Sequence, residues 1–199
     1  LAHNGILFLD ELPEYKRQVL EVMRQPLEDR VVTISRAKMS VEYPAGFMLV
    51  ASMNPSPSGN FFDPNDPNSD PEIVVKRYLQ KISGPLMDRI DLHIEVPAVK
   101  FDELADVRKG ESSEVVRQRV VAARELQAKR LQEYRGIHYN AQLNPQLIDK
   151  FCAVSDAGQL LLKNAMDKMG LSARSYGRIL KGSRTIADLA GSETIEPHH

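Results

Sequence analysis

The chain has no tryptophan, a single cysteine and almost no net charge. One cysteine cannot close a disulfide within the chain, so a reducing compartment and a fold without cross-links are expected. Its setting, Lys150-Phe-Cys-Ala-Val154, holds no activating base, which favours a buried, inert thiol at Cys152 over a nucleophile. The 26 Lys and Arg nearly balance the 27 Asp and Glu, giving a formal charge of −1, so a global basic attraction to nucleic acid is excluded and only a local one remains open. No apolar run approaches the length of a membrane span, and no signal peptide is recognisable. A soluble, cytoplasmic protein is therefore expected. Internal repeats are absent. So is the Gly-x-x-x-x-Gly-Lys-Ser/Thr loop that cradles nucleotide phosphates.

What is present begins at once. Gly5-Ile-Leu-Phe-Leu-Asp-Glu-Leu12 runs four apolar residues into two acids. Such a run suits a buried strand of a parallel sheet. Two acids at its end are costly to bury unless something positive meets them. An ordinary strand end or helix cap would account for the pair, and so would a nucleotide-bound Mg²⁺ held by a strand-end aspartate. On the second account Asp10 positions the metal and Glu11 polarises the attacking water. A phosphate loop would precede such a strand, yet only Leu1 to Asn4 stand before it, and the first residue is Leu. The expectation is a fragment that by itself does not hydrolyse ATP.

Further along, Pro13 suits a first helical turn, and Val19, Leu20, Met23 and Leu27 recur at helical spacing over Glu14–Glu28. Val31–Ser35 and Met39–Tyr43 flank Arg36-Ala37-Lys38, which predicts a β-hairpin with a basic tip. Phe47–Met53 reads as a second buried strand ending at Asn54-Pro55. Residues 54–71 have loop composition; Asp63, Asp66 and Asp70 lack the spacing and closing Glu of a calcium loop, so a solvated loop is preferred. Glu72–Ile82 reads as helix and Ile90–Val96 as a short strand ended by Pro97. A charged helix is expected from Ser112 or Ser113 to about Tyr134, with a solvated face preferred over a DNA-binding stripe. The remainder reads as all-helical: Asn144-Pro145 starts one helix, Ser155-Asp156 the next, which Gly170 closes, and Ser172 caps another. That last helix is expected to bury Ala173, Tyr176, Ile179, Leu180, Ile186 and Ala187 on one face. His198 and His199 are assigned no role as metal ligands. The implied organisation is an α/β region over 1–98, a connection with a long helix over 99–141, and a helical domain over 142–199.

Four elements therefore follow in order: an acidic strand end, a strand ending in Asn, an Arg flanked by acids, and an Arg opening a late helix. Taken alone, Asn54 before Pro55 reads as a turn residue. Arg89 reads equally well as an intramolecular partner of Asp88 or Asp91, and Arg174 as a surface charge. Together the stretches Asn4–Pro13, Met53–Pro57, Ile82–Pro97, Leu171–Leu180 and Thr185–Leu189 resemble an AAA+ ATPase lacking its first segment. More narrowly, they resemble the magnesium-chelatase-like family that includes competence protein ComM.

The resemblance implies an AAA+ α/β core, truncated, with a parallel sheet and an inserted hairpin, followed by an all-helical lid. It matches Asp10 and Glu11 to the Walker B pair, Asn54 to sensor 1, Arg89 to an arginine finger offered to a neighbouring subunit, and Arg174 to sensor 2 on the lid. It implies ATP and Mg²⁺ as cofactors and a homo-oligomer, a hexamer in the active state. The hairpin would face the pore, with Arg36 and Lys38 as DNA contacts. Relatives with cysteines after sensor 1 suggest a zinc loop there, but this chain carries Ser56 and Ser58, so no zinc is carried over. The favoured function is a DNA motor or helicase acting in recombination or competence. Two alternatives stand beside it: a chelatase-type ATPase driving metal insertion into a porphyrin-like substrate, and a non-catalytic regulatory module.

Overall fold

The computed structural model describes residues 1–36, 39–60, 69–97 and 110–199. It divides into two compact units, Leu1–His93 and Ile94–His199. Lys38, Asp63 and Asp66 lie outside the described residues, as do residues 98–109 of the expected connection.

The first unit is α/β. β1 (Ile6–Leu9) and β4 (Met48–Ala51) pair in parallel, with Ile6 opposite Met48 and Leu9 opposite Ala51. β2 (Val31–Arg36) and β3 (Met39–Pro44) form the expected antiparallel hairpin, with Arg36 opposite Met39 at its described end. The strand pair is not buried on both faces as the apolar run suggested. Alternation puts Leu7 and Leu9 on the half-buried side and leaves Ile6, Phe8, Met48 and Val50 exposed. A sheet of two strands, among the described residues, has only one face covered.

The helix expected over Glu14–Glu28 is broken into three pieces: a 3₁₀ turn (Leu12–Glu14), α1 (Arg17–Val22) and α2 (Arg24–Asp29). Pro26 has no N–H to offer the carbonyl of Val22, so a single ladder cannot run through. α3 (Glu72–Leu79) and α4 (Gly84–Met87) follow, the second capped by the Ser83 hydroxyl, which accepts from the Leu86 amide. Leu12, Leu20, Ile82 and Leu86 form the buried core, with Leu9, Met23, Leu27, Met87 and Ile90 against it. Of the apolar residues that suggested helix, Leu20, Met23 and Leu27 are thus core residues and Val19 is exposed, while the ladder through them is discontinuous. Ile90–Val96 forms no strand. Leu92, Ile94 and Val96 are largely exposed, and no described strand pairs with them.

The second unit is helical. α5 (Ser113–Leu131) stops short of Tyr134 and is capped by the Ser112 hydroxyl, which accepts from the Val115 amide. Ala123, Gln127 and Leu131 are its buried residues, a stripe one residue wide at four-residue spacing. α6 (Pro145–Phe151), α7 (Asp156–Met169) and α8 (Ala173–Leu189) are capped by Asn144, Ser155 and Ser172 in the same manner. Gly170 closes α7 in the left-handed region at φ 61°. Leu131, Leu143, Leu147, Cys152, Leu180, Ala187 and Ile195 make the core. Burial pushes the Cys152 thiol up to about 11, which fits an inert thiol.

On α8 the expected apolar face is corrected. Ala173, Tyr176 and Ile186 are exposed, and the buried stripe is Leu180, Arg184, Ala187 and Asp188. Two opposite charges take core positions because they satisfy each other. Arg184 Nε donates to Asp188 Oδ1 at 3.1 Å, and its other nitrogens donate to the carbonyls of Ser192 and Glu193. Arg130 Nη1 and Asn140 Nδ2 donate to Asp188 Oδ2 at 2.9 and 2.8 Å.

Candidate functional site

The carboxyl ends of β1 and β4 are knitted together by backbone. The Ser52 amide donates to the Leu9 carbonyl at 3.0 Å, and the Leu12 amide donates to the Ser52 carbonyl at 2.9 Å. Ligands of open α/β sheets bind beyond such carboxyl ends. Asp10 and Glu11 sit in the interval between these two bonds, both exposed. The Ser52 hydroxyl donates to Asp10 Oδ1, and the Glu11 amide reaches both that oxygen, at 3.1 Å, and Ser52 Oγ, at 3.3 Å. Glu11 has φ 51° and ψ 52°. A left-handed conformation is uncommon for a residue with a side chain and clusters at functional sites. Here it turns the chain sharply from the strand into the Leu12–Glu14 turn.

Asn54 follows Ser52 by two residues and is exposed. Its backbone lies beside the hydroxyl of Tyr78 on α3, a buried side chain. Burial, foremost, and the carboxylates of Glu14 and Glu11 hold the Tyr78 phenol above its ordinary range, while the nearby Asn54 backbone opposes them. Lys81 Nζ meets Glu14 Oε1 at 3.2 Å on the same side. The structure thus brings Asp10, Glu11 and the segment carrying Asn54 to one end of the strand pair.

Arg89 lies just after α4, and its partner is neither Asp88 nor Asp91. Its Nε donates to Glu28 Oε2 at 3.0 Å, Nη2 donates to the same oxygen, and Nη1 donates to the Pro85 carbonyl at 2.6 Å. The Arg89 side chain is only 7% exposed. It borders a depression of about 400 Å³ that Glu21, Arg24, Gln25 and Glu28 also line. Arg36 closes β2 and is exposed. Arg174 belongs to the other unit, exposed in the first turn of α8. In the loop, Asp70 accepts from the Ser58 amide at 2.8 Å. The Ser56 hydroxyl, then the amide and hydroxyl of Ser58, hold its carboxyl below the usual range. That aspartate serves the loop's own serines.

Sequence reading missed Ser52, Tyr78 and Glu28. Ser52 had a readable signal. Once Leu9 is placed opposite Ala51, the next residue of each strand must also face its counterpart, Asp10 against Ser52. Glu28 had none, being one acid among many on a broken helix.

A family model described as magnesium chelatase, subunit ChlI, matches residues 1–104, and one for the ChlI C-terminal part matches residues 110–199. The chain belongs to the magnesium-chelatase-like family of AAA+ ATPases. Competence protein ComM of Haemophilus influenzae is 46% identical to it over 200 residues, covering 100% of this chain and 38% of that protein. An uncharacterised protein of Escherichia coli, YifB, is 44% identical with the same coverage. An uncharacterised protein of Mycobacterium tuberculosis is 38% identical over 192 residues, 96% of this chain and 37% of the relative. The chain therefore spans under two fifths of the length of these curated relatives.

Membership of the magnesium-chelatase-like family implies ATP and Mg²⁺. The donor set fits. Mg²⁺ takes hard oxygen ligands and is commonly held by one or two carboxylates together with substrate phosphates, not by a protein cage. Among the described residues no group of three or more His, Cys, Asp or Glu could hold a metal. An exposed Asp10 with Glu11 beside it, at the carboxyl end of a parallel strand, is the arrangement such a phosphate-bound ion needs. Among the described residues no helix is long and apolar enough to cross a membrane.

Proposed function

We propose that this chain carries the metal, sensor and finger parts of an ATPase site shared between subunits of an oligomeric DNA motor. The observation that carries the reading is the junction of β1 and β4. It places Asp10, Glu11 and the Asn54 segment together around Ser52, at the end of the sheet where open α/β folds bind ligands. Mg²⁺ bound with ATP would neutralise charge developing on the phosphates. Asp10 would hold that ion, and Glu11 would accept the proton of the attacking water. Asn54, its backbone beside the Tyr78 hydroxyl, would orient that water through its side-chain amide. Arg89 and Arg174 would each offer a guanidinium, whose planar fork suits phosphate oxygens. Arg89 would do so across a subunit boundary, which calls for a homo-oligomer, a hexamer in the active form.

The whole-chain likeness to ComM favours DNA as the partner. The family description, magnesium chelatase, favours the chelatase-type alternative, in which ATP turnover drives metal insertion into a porphyrin-like substrate and DNA has no role. ATP turnover by a polypeptide of the relatives' length carrying this chain, measured with and without forked DNA, separates the two. Strong stimulation supports the motor, and indifference to DNA supports the chelatase-type reading.

Glu11→Gln in the same polypeptide is expected to lower turnover by about 10²-fold or more while retaining bound ATP, since proton acceptance is lost and the metal carboxylate is kept. Filter retention of labelled ATP beside a turnover assay checks it. Unchanged turnover would overturn the water-activating role of Glu11 and leave the acidic pair a structural one.

Replacing both Arg36 and Lys38 with Ala is expected to weaken DNA binding and flatten its dependence on salt by about one unit of log-log slope per cation removed. Binding titrations across salt concentrations measure it. An unchanged slope removes the hairpin from the interface.

A further inference from the structure

We propose that Ser52 is a positioning residue for the metal-binding carboxylate, holding one oxygen of Asp10 so that the other is presented outward. This rests on the reading of Asp10 as the Mg²⁺ ligand and adds to it a residue which that reading does not include. Among the described residues, every hydrogen bond to the Asp10 carboxylate falls on Oδ1, from the Ser52 hydroxyl and the Glu11 amide. Ser52 Oγ also accepts from the Glu11 amide at 3.3 Å, so donor, acceptor and carboxylate close a small ring. The ring joins the ends of two strands: Asp10 directly follows β1 and Ser52 directly follows β4. Ser52 is itself fixed through its backbone on both sides, at 3.0 Å to Leu9 and 2.9 Å to Leu12.

A hydroxyl on a backbone held that firmly is a rigid prop. An exposed aspartate otherwise samples several rotamers, and ordering it on metal binding costs side-chain entropy. Ser52 removes that freedom beforehand. Its bond also fixes which carboxylate oxygen remains for a cation. Ser52 lies two residues before Asn54, so the metal carboxylate and the sensor segment take their positions from one short stretch just after β4. Outer partners of metal ligands typically change metal affinity or activity 10–100-fold when removed.

Thr and Val have nearly the same shape and differ in the hydroxyl, so the pair Ser52→Thr and Ser52→Val isolates it. Mn²⁺ serves as the probe, its binding followed by electron paramagnetic resonance with ADP present, in a polypeptide of the relatives' length carrying this chain. The expected result is a loss of Mn²⁺ affinity of about 10-fold or more in Ser52→Val, with Ser52→Thr close to the unsubstituted protein. The Glu11 amide should exchange its hydrogen faster in the Val variant. The Leu12 amide, bonded to the Ser52 carbonyl, should keep its protection and so report an intact strand junction. If Val binds Mn²⁺ normally while Asp10→Ala loses it, the role of Ser52 is overturned and Asp10 remains the ligand. If Thr falls together with Val, packing and not the hydroxyl sets the affinity, and the proposal fails. If Asp10→Ala itself binds Mn²⁺ normally, the metal reading fails and Ser52 falls with it.

Discussion

Replacing Arg89 with Ala is expected to lower ATP turnover by about 10³-fold, the lower end of what a finger arginine contributes in GTPases. The substitution also removes the ion pair to Glu28 and the bond to the Pro85 carbonyl, so lost activity alone would not distinguish a finger from a brace. Two further variants do. Glu28→Gln removes the brace's charge and leaves the guanidinium. A finger that must leave Glu28 to reach a neighbour's phosphates would then work as well or better, whereas a brace would be weakened. Mixing is the sharper test. An assembly of Arg89→Ala with Glu11→Gln subunits contains boundaries where intact Glu11 of one subunit faces intact Arg89 of the next. Turnover in the mixture above that of either variant alone establishes a shared site. No recovery in mixed assemblies would restrict Arg89 to its own subunit.

Asp188→Ala is expected to destabilise the helical unit by about 3–5 kcal/mol, the cost of leaving buried charges without their partner. Arg184 and Asp188 are both almost wholly buried, at 2% and 1% side-chain exposure, and Arg130 and Asn140 converge on the same carboxylate. A lowering of the melting temperature by more than ~10 °C follows for a unit of this size. Burial by itself would raise the Asp188 carboxyl. Arg130, Asn140 and the charge of Arg184 outweigh it and hold the carboxyl below the ordinary range. The sign for stability follows. The native state holds the carboxylate more readily than the unfolded chain, so the contribution is complete above the unfolded value near ~3.9 and drains away as pH falls through the lower native one. Urea unfolding at pH 7 and at steps down to pH 3 should show this loss in the unsubstituted chain, and Asp188→Asn should be flatter over the same window. An equally steep loss in Asp188→Asn would assign the acid sensitivity to other carboxylates.

By itself the sequence determined whatever depends on neighbours in the chain. Ser112, Asn144, Ser155 and Ser172 cap helices by bonds that reach three residues onward, and Gly170 ends one because it tolerates the left-handed turn. The hairpin followed from alternation about a short basic turn, and the acidic strand end followed from an apolar run stopping at Asp10. The matched stretches carried the family. Even locally, apolar periodicity misled where Pro26 interrupted the ladder, because periodicity marks what is buried and not which amides have partners.

Only the tertiary structure decided the pairs that span long separations. Asp10 meets Ser52 across 42 residues, Arg130 meets Asp188 across 58, and Arg89 meets Glu28 across 61. A charge is placed by whichever opposite group the packed chain carries beside it, and several acids near Arg89 in sequence were equally eligible. The same competition put Arg184 and Asp188 at core positions of α8 and turned Tyr176 and Ile186 outward. Burying a charge is costly alone and tolerable in a fully bonded cluster, and that cluster exists only once the helical unit has packed.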